Sequence, residues 1–174
     1  VLATRAGLDV AVEGVRAPAG AAMARLVGQA LESGLARLTL AGAPLMEHGA
    51  PTLPVGGVET AVPPGVFVQA VEEAERALVQ RVVDATEGAR RVADLFCGVG
   101  TFALPLAARA RVLAVDSHAP AVAGLTAAAQ CRQGLKPIET KVRDLFREPL
   151  SSLELKPFDA VVFDPPRAGA MAQA

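Results

Sequence analysis

Asp94-Leu95-Phe96-Cys97-Gly98-Val99-Gly100-Thr101-Phe102-Ala103 is the stretch on which the reading of this chain turns. The residues before it, from Arg91 to Phe96, run apolar enough for a buried strand. The stretch after it, Thr101 to Arg109, has helical spacing. Between them, Gly98 and Gly100 let the backbone turn sharply and lie close against a ligand, because no Cβ intervenes. A helix start beyond the glycines offers unpaired N–H groups. The next strand, from Arg111, ends on Asp116. A carboxylate there can accept hydrogen bonds from both hydroxyls of a ribose.

Working outward, the same alternation continues in both directions. A helix is expected over residues 70–87, with Val71, Ala74, Leu78, Val79, Val82 and Val83 on one face and Gly88 closing it. After Asp116 come a helix from Pro120 to Gln133, a strand near Ile138 to Val142 and a strand from Phe158 to Asp164. Strands alternating with helices of this length imply βαβ units and a doubly wound parallel sheet, an α/β fold. The first sixty or so residues read differently. Gly7 to Gly14 alternates as a half-buried strand, and Pro18 precedes a helix carrying Met23, Leu26, Val27, Ala30 and Leu31 that Gly34 stops. Ala36 to Leu40 reads as a strand, and short β pieces fall near Leu45 and from Val58 to Val62. These describe a small α+β appendage ending in a hairpin or meander. Pro63-Pro64-Gly65 marks the boundary, giving domains at 1–65 and 66–174.

Gly98-Val-Gly100-Thr-Phe-Ala103 also fits the G-x-G-x-x-G/A pattern of dinucleotide enzymes, so the loop alone does not name its ligand. Asp94 discriminates. A carboxylate beside the loop would repel a pyrophosphate, but it suits a ligand with a cationic amino acid end, as S-adenosylmethionine has. Val161-Val162-Phe163-Asp164-Pro165-Pro166-Arg167 supplies a second acid at a strand end. Its two prolines fix φ and remove two donors, making a rigid exit that holds Asp164 at the carboxyl edge of the sheet. Amino-group methyltransferases usually set an aromatic at the fourth place of that turn; Arg167 stands there instead, which favours methylation at carbon.

These motifs resemble those of the RNA 5-methyluridine methyltransferases that act on transfer and ribosomal RNA. Residues 94–107 look like the family's first motif and Asp164-Pro-Pro-Arg-Ala-Gly169 like its fourth. Phe67-Val68-Gln69 matches a Phe-x-Gln element, and the segment opening Gly7-Leu8-Asp9-Val10 is similar to the family's middle domain. The resemblance implies a Rossmann-like class I methyltransferase sheet, incomplete in this chain, behind the α+β appendage. It implies S-adenosylmethionine as cofactor, contacted by Gln69, Phe96, Thr101, Asp116 and Asp164 around the Gly98 turn, with Asp144 meeting the adenine amino group. It further implies a tRNA or rRNA substrate methylated at uridine C5, and a cytoplasmic setting. The family's nucleophilic cysteine lies in a Ser-Cys-Asn-Pro-like segment beyond the Asp-Pro-Pro-Arg turn, so no catalytic residue is expected among these 174. An RNA-binding domain or iron–sulfur cysteines would lie upstream, and the chain is expected to be a piece cut at both ends. Three positions depart from the family pattern: Val71 where Asn is common, Asp116 where Glu is usual, and Ala127-Ala128-Ala129 in place of an Asn-rich stretch.

Composition narrows the remaining classes. Hydrophobic residues make up 52% and charged residues 20%, enough for a real core and too apolar for disorder. Aromatics are 3%, with no Trp or Tyr, which leaves few rings on which to stack single-stranded bases. The formal charge is −1, so the chain is no electrostatic clamp for RNA. Arg132, Lys136, Lys141, Arg143 and Arg147 gather in one stretch, diluted by Glu139 and Asp144, and read as a solvated face. The grip on RNA is therefore expected elsewhere. Cys97 and Cys131 have no metal-ligand spacing, and no segment reads as a signal or a membrane span. No obligate protein partner is evident. A nicotinamide-dependent oxidoreductase and a cofactor-binding module without chemistry stand as the alternatives.

Overall fold

The computed structural model describes residues 1–66 and 72–174, with backbone alone at 72. Its contacts divide the chain into two units, 1–54 with 61–66, and 55–60 with 67–174.

In the first unit, β1 (Leu2–Thr4), β2 (Gly7–Val12), β3 (Leu35–Leu40) and β4 (Ala43–Glu47) form a sheet in that order. The parallel pair β2–β3 is joined by α1 (Ala21–Glu32), and the other neighbours are antiparallel. The apolar face of α1 is the one its spacing foretells except at Leu31, which is exposed. Leu26, Val27 and Ala30 pack with Val10, Val12, Leu38, Leu40 and Met46. The sheet also buries a charge pair. Arg37 donates from Nε to Asp9 Oδ1 at 2.9 Å and from Nη2 to Asp9 Oδ2 at 2.6 Å, and Nη2 reaches the Val62 carbonyl at 2.9 Å. Removing one partner of such a pair leaves an uncompensated buried charge, which costs about 3–5 kcal/mol. A two-stranded hairpin of β5 (Thr52–Val55) and β6 (Val58–Ala61) follows. The sequence reading anticipates the second of these strands and misses β1 and β5, both too short to show a period.

The second unit carries α2 (Glu72–Ala85), β7 (Arg91–Leu95), α3 (Ala103–Leu106), β8 (Arg111–Asp116), α4 (Ala119–Cys131), β9 (Ile138–Val142), α5 (Ser152–Leu155) and β10 (Ala160–Phe163). Its four strands are all parallel and lie in the order β10-β7-β8-β9. The chain thus winds outward from β7 through β8 to β9, then crosses back to place β10 on the other side of β7. Val92, Ala93, Leu95, Val112, Ala114 and Val115 are all buried, as expected of parallel strands covered on both faces. Ala121, Val122, Leu125 and Ala128 are the buried stripe of α4.

Two expectations for this unit need correcting. The helix foreseen from Thr101 to Arg109 is regular only over Ala103–Leu106. Pro105 has no N–H to return to the Thr101 carbonyl, and the following residues close short turns, with Ala108 N on Pro105 O and Arg109 N on Leu106 O. In α2 the apolar stripe is only partly used: Val79, Val82 and Val83 are half-buried, whereas Ala74 and Leu78 are exposed. Val71 lies outside the described residues.

Candidate active site

The strand order reverses between β7 and β10, and open α/β sheets take their ligands at the carboxyl ends of the strands beside such a reversal. Register fixes what stands there. Leu95, Val115 and Phe163 form one row across β7, β8 and β10. The next residue of each strand is Phe96, Asp116 and Asp164, so three of the sequence-predicted site residues share one edge.

The glycine loop is tied to that edge. Phe96 N and Cys97 N both donate to the Val115 carbonyl, at 2.8 and 3.1 Å. Phe96 is thereby held at φ +65, a left-handed conformation that costs a non-glycine residue roughly 1–2 kcal/mol. Gly98 N donates to Asp116 Oδ2 at 2.9 Å, and His118 N donates to Asp116 Oδ1 at 2.8 Å. Each carboxylate oxygen of Asp116 keeps a second lone pair for a ligand hydroxyl. At Gly98 (φ +54) an added Cβ would meet nothing within 4 Å, so the space above the turn is open. Gly100 is the opposite case: its Cβ would fall 2.4 Å from Leu125 Cδ1. One glycine faces open space, and the other packs the loop onto α4. Thr101 is half-buried just before α3. A helix of one turn adds little dipole, so the loop amides matter more than the helix axis expected from the sequence.

Asp94 is the outlying group. It is 1% exposed, and neither of its oxygens has a hydrogen-bond partner among the described residues. Burial pushes its pKa up to about 8. The Ala103 N–H opposes this without closing a hydrogen bond, and the charges of Asp164 and Asp116 add to it. A buried carboxylate without a donor is costly by itself, and it fits a ligand that brings a cationic ammonium. The donor set of the edge therefore fits S-adenosylmethionine. Asp94 would take the amino acid end, Asp116 the ribose, and Gly98 would leave room for the chain between them.

The other candidates divide. Asp164 is exposed at the start of the Pro165-Pro166 turn, and Arg167 is exposed beyond it. Asp144 Oδ1 accepts from Phe146 N at 2.9 Å and Arg147 N at 3.3 Å, which commits that oxygen to the turn after β9. Its Oδ2 stands 3.6 Å from Arg147 Nε. Gln69, with Phe67 and Val68, lies outside the described residues. Cys97 is buried, and its burial, with Asp94 and Asp116 nearby, pushes the thiol far up, so it is no nucleophile. Cys131 is exposed at the end of α4.

Sequence reasoning misses two aromatic neighbours of the site. The Phe96 ring lies 5.5 Å from that of Phe146 and 5.8 Å from that of Phe163. The available signal is positional, since each of those rings flanks an acid at a strand end. The basic stretch resolves largely into framework. Arg143 donates to the Glu148 and Pro149 carbonyls and to Glu154, while Arg132 donates to the Gly56 carbonyl and Lys136 to the Arg109 carbonyl. A shallow depression lined by Thr86, Gly88, Arg90 and Asp159 lies at the amino end of β10, opposite the strand-end acids. No metal-binding cluster occurs among the described residues, and no helix there is long and apolar enough to cross a membrane.

A parallel sheet of this order, with a glycine loop after its first strand, Asp94 within that strand and acids at the ends of β8 and β10, defines a Rossmann-like S-adenosylmethionine-dependent methyltransferase fold. Residues 58–173 match the family described as "Methyltransferase small domain", and the chain belongs to that family. The dinucleotide reading of the glycine loop is thereby set aside. Among its relatives, a protein of Agrobacterium fabrum called an uncharacterized RNA methyltransferase is 45% identical over 174 residues, which is 99% of this chain and 42% of that one. The 23S rRNA (uracil(1939)-C(5))-methyltransferase RlmD of Alkalilimnicola ehrlichii is 36% identical, over 84% of this chain and 36% of that one. Among solved structures, the Pyrococcus abyssi tRNA (uracil-54, C5)-methyltransferase in complex with S-adenosyl-L-homocysteine superposes with a TM-score of 0.59 at 26% identity. The match covers 74% of this chain and 31% of that one. The chain thus spans about two fifths of the length of the first curated relative, 42%.

Proposed function

We propose that these residues are the cofactor-binding part of an RNA methyltransferase that transfers the methyl group of S-adenosylmethionine to C5 of a uridine in ribosomal or transfer RNA. The observation that carries the reading is the buried, unpartnered Asp94 beside an open Gly98 turn, between Asp116 and Asp164. In this reading Asp94 faces the ammonium, Asp116 the ribose and Asp144 Oδ2 the adenine amino group. Phe96, Gly98 and Thr101 line the cofactor, Gln69 is a cofactor contact by the family resemblance, and Asp164 serves the same edge. Arg167 in place of an aromatic, together with the two uracil-C5 enzymes among the similar proteins, supports carbon over nitrogen as the acceptor.

Uracil C5 is a weak nucleophile. A thiolate adding to C6 creates an enolate whose C5 attacks the sulfonium methyl and releases S-adenosylhomocysteine. A base then removes the C5 proton, and the thiolate departs. Cys97 is too buried for this role and Cys131 too far from that edge, so the thiolate comes from a part of the protein beyond these residues. The test is methylation of total RNA by the full-length protein with labelled S-adenosylmethionine, followed by nucleoside analysis. Label in 5-methyluridine is expected; label in an N-methylated base or in ribose overturns the C5 reading.

A further inference from the structure

The tip of the β5–β6 hairpin, residues 55–60, groups with the second unit and is packed there more tightly than a surface loop needs to be. Val55, Val58 and Thr60 are buried. Gly56 and Gly57 form its two-residue turn with φ +55 and +78, the left-handed pair that a hairpin of this length demands. Their surroundings differ. A Cβ on Gly56 would fall 2.8 Å from Pro105 Cδ and 3.0 Å from Leu104 Cβ, so the bare backbone lies directly on α3. A Cβ on Gly57 would meet only Arg132 Nη1, at an ordinary 3.6 Å. The Gly56 carbonyl in turn accepts from Arg132, the residue that ends α4.

Both helices lead back to the cofactor edge. Leu104, under the tip, donates its N–H to the Gly100 carbonyl at 3.1 Å. Gly100 packs against Leu125 of α4. At its start, α4 is set by His118, whose N–H binds Asp116. Tip, α3, glycine loop and α4 thus make a closed ring of contacts.

We propose that the hairpin tip is a positioning element for the cofactor site, with Gly56 and Arg132 as its positioning residues. By seating α3 at contact distance and tying the end of α4, it sets the height of the glycine loop over the sheet. The proposal rests on the reading of that loop as the S-adenosylmethionine site.

Gly56→Asn and Gly57→Asn test it in the full-length protein. Asn tolerates the left-handed conformation at both positions, so the turn bears a similar burden in each, and only the Gly56 variant presses on α3. The expected result is a roughly two- to thirtyfold loss of S-adenosylhomocysteine affinity for Gly56→Asn. Amide exchange should be faster at residues 98–101 in that variant, and Gly57→Asn should bind like the parent. Adding Pro105→Ala, which removes the nearest clashing atoms, should restore much of the affinity. Equal affinity for the two glycine variants overturns the proposal. A parent protein that fails to bind S-adenosylhomocysteine overturns the site reading instead. If Gly56→Asn does not fold, Arg132→Ala against Arg132→Lys asks the same question: loss in the first with rescue in the second supports the tip's role, and no loss in either refutes it.

Discussion

The Gly98 amide donates to Oδ2 of Asp116 at 2.9 Å, which makes the glycine turn and the acid of the neighbouring strand one hydrogen-bonded piece. Because Asp116 Oδ1 also receives the His118 amide, that carboxylate is fixed in place before any ligand arrives. A ribose would meet an acceptor whose orientation has already been set.

Replacing Asp116 by Ala should therefore harm binding twice, by removing the proposed ribose acceptor and by freeing the Gly98 turn. The expected loss of S-adenosylmethionine affinity by calorimetry is about 1.5–3 kcal/mol, the worth of a charge-assisted hydrogen bond. Unchanged affinity would remove Asp116 from the ribose.

Asp94 couples binding to protons. Its pKa is raised from 3.8 in the free acid to about 8 in the fold, so the folded state holds this proton more tightly than the unfolded chain. The stability this gives is complete below the unfolded value and is lost as pH rises through the folded one. Asp94→Asn should flatten that decline, leaving the ligand-free variant more stable than the parent at pH 8 while it binds the cofactor more weakly. In the parent, an arriving ammonium should drive the proton off. Binding enthalpies near neutral pH should then change with the ionisation enthalpy of the buffer.

At position 96 the smaller replacement should be the gentler one. Phe96→Ala loses the ring contacts with Phe146 and Phe163 and keeps the left-handed penalty. Phe96→Gly loses the same contacts but escapes the penalty, so it should be the more stable variant by about 1 kcal/mol in urea titrations. The reverse order would mean the backbone relaxes there.

The two thiols should behave oppositely toward an alkylating reagent. Cys131 is exposed and should be labelled in the native protein, whereas Cys97, buried and held protonated, should react only on unfolding. Mass spectrometry of partly labelled protein reads this directly. Native labelling at Cys97 would reopen it as a nucleophile.

In the first unit, Arg37→Ala should destabilise by about 3–5 kcal/mol, because it strands Asp9 in the interior. Asp9→Ala together with Arg37→Met should recover part of that loss in chemical denaturation.

The strand edge that carries the candidate site is legible because register places it. Once β7, β8 and β10 are recognised as parallel strands of similar length, their last residues must share an edge, and Phe96, Asp116 and Asp164 fall on it without any knowledge of side-chain packing. What escaped depends on distance through space. The lack of a partner for Asp94 comes from every neighbour at once, and no local pattern encodes it. Phe146 and Phe163 reach Phe96 from two other strand ends. The shortness of α3 was readable in Pro105, but helical spacing on either side hid it. Arg132, Lys136 and Arg143 read as a cationic run because sequence shows charge and conceals which carbonyl each side chain has met.

Those three cations have a thermodynamic consequence. A basic side chain contributes to polyanion binding mainly by displacing condensed counterions from phosphates, and it can do so only if its donors are not already committed. With Arg132, Lys136 and Arg143 bonded to backbone and carboxylate oxygens, these three have few donors left to offer a phosphate. Replacing these three by neutral residues should then leave the salt dependence of nucleic-acid association by the full-length protein nearly unchanged.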